Sequence, residues 1–130
     1  MKVAIFGRFY NSTTTQSLET LFHFLNKKEI VAYIESDFYK LINESEPNKI
    51  NFFKDKQFDI LDKSFDLLIS VGGDGTILRA ITFVKDLGIP IIGINTGRLG
   101  FLATIQVNDI ESAIQNIIDG KYKISKESIQ

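Results

Sequence analysis

Three glycines surround an aspartate in Gly72-Gly73-Asp74-Gly75-Thr76, which follows an apolar run and precedes residues at helical spacing. Glycines at a strand-to-helix junction let backbone N–H groups approach a ligand, and the helix N-terminus adds partial positive charge, so phosphate is the natural occupant. The same glycines equally suit a tight turn that needs their dihedral freedom. Asp74 bears on that choice. It could cap the helix, but an acid at the mouth of an anion site also repels the anion unless it meets a metal ion or a hydroxyl proton. Both of those partners belong to phosphoryl transfer. Arg79 adds a second irregularity, since a cation in the first helical turn opposes the macrodipole by ~0.3–1 kcal/mol when exposed. An anionic ligand would reverse the sign; the alternative is a solvated arginine lying along the helix.

Other phosphate and nucleophile motifs are missing. No Gly-Lys-Ser or Gly-Lys-Thr follows at Walker spacing, and Leu78 stands where the third glycine of G-x-G-x-x-G would fall. There is no Gly-x-Ser-x-Gly elbow, and the lone His23 cannot assemble a His/Ser/Asp set. His23 sits beside Leu21, Phe22 and Leu25 and is expected to be a partly exposed helix residue.

The glycine loop needs elements to hold it, and the apolar pattern supplies them. Val3 to Phe6 reads as a strand buried on both faces and ended by Gly7. A helix is expected from about Thr15 to Asn26, with hydroxyls among Ser12 to Thr15 as N-cap candidates. Ile30 to Ile34 reads as a second strand, followed by a short helix around Phe38, Leu41 and Ile42 and a polar region from Glu44 to Lys56. Phe65 to Val71 is a strand that opens into the glycine loop. Helical spacing then runs through Ile77, Leu78, Ile81, Val84 and Leu87 to a stop at Gly88 and Pro90. Ile89 to Ile94 gives a further strand, ending in Asn95-Thr96-Gly97-Arg98-Leu99-Gly100. Asn108 and Glu111 suggest a capping box for a helix through Ile110, Ala113, Ile114, Ile117 and Ile118. This alternation predicts an α/β fold: an open, mostly parallel sheet with helices on both faces. Gly7-Arg8, Gly72 to Thr76 and Asn95 to Gly100 would all lie beyond the strands' carboxyl ends and could line one crevice.

Composition narrows the setting. The chain has 130 residues, 44% of them hydrophobic, enough for a single core and too apolar for a disordered segment. A net charge of -1 leaves no global field for nucleic acid or an anionic membrane, so neither is an expected partner. Cysteine is absent, which removes disulfides and thiolate metal sites and fits a reducing compartment; the expected location is cytoplasmic. No stretch approaches the ~20 apolar residues of a membrane helix.

Gly72-Gly73-Asp74-Gly75-Thr76-Ile77-Leu78 resembles the GGDGT signature of NAD kinases, of diacylglycerol and sphingosine kinases and, more loosely, of 6-phosphofructokinases. Gly93-Ile94-Asn95-Thr96-Gly97-Arg98-Leu99-Gly100-Phe101-Leu102 is similar to a second segment, characteristic of NAD kinases, and the two together identify that family. The resemblance implies phosphorylation of the adenosine-ribose 2'-hydroxyl of NAD to give NADP, with ATP or a polyphosphate as donor and Mg²⁺ or another divalent cation. It implies that Asp74 accepts the hydroxyl proton, that Gly75 and Arg79 contact NAD, and that Gly73, Asp74 and Thr76 belong to the same binding set. Phe101 would stack on a base, or else be a core residue after a turn. Gly7-Arg8 would face the phosphate donor. No residue is assigned as a protein metal ligand. The family implies a homo-oligomer, dimer or tetramer. Residues 1–121 are expected to form the nucleotide-binding domain and 122–130 to lead into a β-rich second domain absent here, so that these residues alone would fold yet be inactive. Tyr122, Ile124 and Ile129 would then leave an apolar edge. A lipid kinase with the same loop, or a nucleotide-binding module without catalysis, are the alternatives.

Overall fold

The computed structural model describes residues 1–95 and 105–119. Six strands form one parallel sheet: β1 (Lys2–Gly7), β2 (Val31–Glu35), β3 (Gln57–Phe58), β4 (Leu67–Gly72), β5 (Ile91–Asn95) and β6 (Ile105–Gln106). Their order is β3-β2-β1-β4-β5-β6. Four helices accompany them: α1 (Ser12–Lys27), α2 (Ser36–Ser45), α3 (Asp74–Val84) and α4 (Ile110–Ile118). β1 lies between β2 and β4, with Val3 beside both Ala32 and Leu67 and Gly7 beside Val71.

Successive residues of a strand face opposite sides, so β1 and β4 divide their apolar runs between two cores. Val3, Ile5, Leu67, Ile69 and Val71 pack with Leu18, Leu21 and Leu25 of α1 and Ile110 and Ile114 of α4. Ala4, Phe6 and Leu68 pack on the other side with Ala80 and Val84 of α3. Helices therefore cover both faces, which is why these strands read as unbroken apolar runs.

The local boundaries differ from the sequence expectation for identifiable reasons. α1 starts at Ser12 because Asn11, extended at φ -137°, accepts from the Thr14 N–H at 3.0 Å; the cap is this amide and not a hydroxyl. α3 ends at Val84, since Lys85 adopts φ 48° and leaves the helical region before Gly88 is reached. Its buried residues are Thr76, Ile77, Ala80 and Val84, whereas Leu78 is exposed. Asn108 caps nothing: it lies inside a 3-10 turn, Val107–Asp109, which delays α4 to Ile110, and Asp109 makes no side-chain cap bond. β3 and β6, at two residues each, are too short to show a period.

The polar region after α2 is tied back to α1 by charge. Lys49 Nζ lies 2.8 Å from Glu19 and 2.9 Å from Glu46, and the Tyr10 hydroxyl donates to Glu46 at 2.8 Å. Hydrogen bonds from Lys49 and then Tyr10 hold the Glu46 carboxyl below its ordinary value of 4.5. A depressed carboxyl pKa contributes stability above the unfolded value and loses it as pH falls through the folded one. Thermal unfolding of Glu46→Gln between about pH 5 and pH 3 should accordingly show a shallower loss of stability on acidification than the parent. The difference will be small because the pair is solvent-exposed. An unchanged acid slope would remove Glu46 from the account.

Candidate functional site

In this strand order the chain reverses direction across the sheet between β1 and β4, and the crevice of an open α/β sheet opens at that switch, beyond the carboxyl ends. Gly7-Arg8 and the glycine loop emerge there together. The Arg8 guanidinium is 3.8 Å from where a Cβ on Gly75 would stand, so the first loop lies against the second. Of the three loops expected to converge, these two do so. Asn95 is buried at the end of β5 beside Gly72, while residues 96–100 and Phe101 lie outside the described residues, as do Tyr122, Ile124 and Ile129.

The glycines of the loop do different jobs. Gly72 has φ +156°, and a Cβ there would collide with the side chain of Thr76, itself buried; this glycine is required by the turn. Gly73 is extended at φ -131° and a Cβ on it would meet nothing within 4 Å. Its missing side chain serves no contact within the described chain and leaves open space above the backbone. Gly73, rather than Asp74, occupies the N-cap position; Asp74 is the first helical residue and half-buried. A carboxylate in that first turn faces the positive end of the helix, where negative charge is favoured.

Arg79 is the sixth residue of α3 and so stands in the second turn, not the first. The dipole penalty expected for it fades beyond the first turn and does not apply. Its side chain instead lines a cavity of about 390 Å³ with Phe6, Gly7, Arg8, Glu35, Asp37, Phe38, Leu41 and Phe83. Neither Arg8 nor Arg79 has an ion pair or side-chain hydrogen bond among the described residues. Two cations thus face one hollow whose walls carry aromatic rings.

Sequence reasoning missed Glu35, Asp37, Phe38 and Phe83 in that cavity. Glu35 is buried, yet both its carboxylate oxygens accept at 2.9 Å from the N–H groups of Asp37 and Phe38, so it caps α2. An acid at a strand end just before a Ser-Asp helical start is the signal that would have found it. Gly7 owes its identity to the same helix: a Cβ on it would lie 2.5 Å from the Phe38 ring. Among the described residues no group of three or more His, Cys, Asp or Glu side chains could hold a metal ion, and no helix is long and apolar enough to cross a membrane. His23 lies exposed on α1, far along the chain from this crevice.

Residues 3–122 match the family model described as the ATP-NAD kinase N-terminal domain. Over 129 residues the chain is 48% identical to an NAD kinase of Flavobacterium psychrophilum and 43% identical to one of Christiangramia forsetii, in each case covering 99% of this chain and 44% of the relative. The fold is similar to that of yeast NADH kinase, whose structure was determined in complex with NADH, at a TM-score of 0.65 and 20% identity over 93% of this chain and 38% of that one.

Proposed function

The chain belongs to the NAD kinase family, and from that premise we propose that it supplies the glycine-loop half of an enzyme that phosphorylates the 2'-hydroxyl of the adenosine ribose of NAD, giving NADP with ATP as donor. It spans 44% of the length of the relatives above, so the activity is proposed for the protein at their length, with the remaining substrate contacts outside these 130 residues. The family match and both relatives favour this reading over a lipid kinase.

The open backbone at Gly73 is the observation that carries the proposal. A loop needing glycine only for its turn would need it at 72 alone; a second glycine over empty space leaves room for a ligand to approach the main chain. Asp74 accepts, or orients, the proton of the ribose hydroxyl, while Arg8 and Arg79 neutralise donor phosphates from the adjoining cavity. In a loose transition state such positioning and charge neutralisation matter more than the strength of a base. Mg²⁺ would reach the site on the donor phosphates, where it would neutralise charge developing in the transfer.

The test is NADP formation from NAD, ATP and Mg²⁺ by the protein at its relatives' length, beside binding of NAD by the same preparation. Binding without turnover would leave only a nucleotide-binding module. Within the assay, Arg79→Ala should raise the KM for ATP by roughly 10–100-fold, the scale of a charge-assisted hydrogen bond. The apo melting temperature should hold, because an exposed second-turn substitution typically changes stability by under about 0.5 kcal/mol. A fallen melting temperature with unchanged KM would make Arg79 structural.

A further inference from the structure

A second hollow lies at the other end of the sheet. α1 runs back from the carboxyl ends of the strands, so its last turns reach the side where β2 and β3 begin. There Phe22, His23, Leu25 and Asn26 of α1, Ile30 and Ala32, Phe53 and Lys56 enclose about 500 Å³, within the size range of small-molecule sites. Ala32 creates the space: it is a small side chain on the core-facing side of β2, where its neighbours Leu25 and Phe53 are large. The Phe22 and Phe53 rings stand 5.1 Å apart on the wall.

The rim is chemically one-sided. His23, Asn26 and Lys56 offer hydrogen-bond donors, and none of these side chains has a hydrogen bond or ion pair among the described residues. Among the described residues no acidic one lines the hollow. Lys56 is anchored through its backbone, whose carbonyl accepts from the Ile34 N–H at 2.9 Å, and the Leu25 and Asn26 carbonyls accept from Ile30 and Glu29 to fix the end of α1. An apolar, aromatic-walled hollow with a basic rim and no competing carboxylate selects a ligand of matching division.

We propose that this hollow is a second binding site, for a small carboxylate with a planar apolar body, distinct from the nucleotide crevice. The ring lies over Ala32 against the wall that Phe22 and Phe53 form together, and the carboxylate meets Lys56, with His23 and Asn26 beside it. Displacing water from the aromatic walls supplies affinity, while the basic rim fixes orientation. Nothing in this assignment depends on the kinase reading.

Amide chemical shifts of the protein, followed as indole-3-acetate is added, test the proposal, with 3-methylindole as the same ring lacking the carboxylate. Saturable shifts should centre on Phe22, His23, Asn26, Phe53 and Lys56, and 3-methylindole should bind at least about tenfold more weakly. Lys56→Ala, an exposed substitution that leaves the core intact, should cost about tenfold in affinity. Ala32→Leu should abolish binding by filling the hollow while the spectrum stays folded. Equal binding of the two indoles, shifts centred elsewhere, or no saturation below about 10 mM would overturn it.

Discussion

Asp74→Asn, in the protein at its relatives' length, is expected to lower the rate of NADP formation by ~10²–10⁴-fold at saturating ATP and Mg²⁺, with little change in NAD affinity. The amide preserves the shape of the side chain but has no basic site for the hydroxyl proton. Its effect on the fold should be modest: Asp74 sits in the first turn of α3, where losing a negative charge removes about 0.3–1 kcal/mol of helix stabilisation. Turnover and melting temperature therefore fall on different scales, and an assay run well below the melting point separates them. Should turnover survive intact, Asp74 is only a helix-start residue and the proton acceptor lies elsewhere.

Gly72→Ala and Gly73→Ala, one residue apart, should fail in opposite ways. At 72 the new methyl meets Thr76, which is only 2% exposed and has nowhere to go, at a φ of +156°. A cost of about 1–3 kcal/mol is expected, visible as a lowered melting temperature without any ligand. At 73 the backbone is already extended and a Cβ meets nothing within 4 Å, so folding should proceed as before. Nucleotide affinity should nevertheless drop by roughly tenfold or more, because the methyl stands where phosphate would approach the main chain. Calorimetric titration with ATP and NAD beside thermal melts of both variants gives the comparison. Normal binding by Gly73→Ala would show that no ligand uses that space, and the phosphate cradle would have to be abandoned at this position.

The larger elements were legible because each carries a period or an unbroken apolar run. Val3 to Phe6 and Leu67 to Val71 are buried on both faces and read as strands from their short apolar runs, while parallel pairing and two helical layers follow from their alternation with helical segments. Element ends were less legible, since they turn on single backbone conformations: Lys85 at φ 48° stops α3, and Asn11 outcompetes four neighbouring hydroxyls as the cap of α1. The glycine loop could be located from its residues, but not the division of labour within it. Gly72 and Gly73 look identical as letters and differ only in what a side chain would touch. Arg79 was singled out on the premise of the first turn; it stands in the second and lines a cavity shared with Arg8. Glu35 escaped notice, and Phe38 was placed on a helix but not in that cavity, because their contribution depends on α2 folding over Gly7, a contact between segments thirty residues apart that no local pattern encodes.

The central place of β1 also dictates when the crevice comes into being. β1 leaves the ribosome before the other strands of the sheet, yet one of its two neighbours is β4, whose Leu67 pairs with Val3. At ~5–20 residues per second, one edge of the Val3 to Phe6 run waits several seconds for its partner, an interval in which it can pair wrongly or engage a chaperone. The glycine loop is the far end of that same late strand, so its geometry arrives only once the middle of the sheet has closed. Nucleotide, bound as proposed, would then meet a chain that has completed its most non-local strand pairing and would draw the population toward it by mass action. In a nascent chain, acquisition of nucleotide would thus mark the moment at which β1 is no longer an edge.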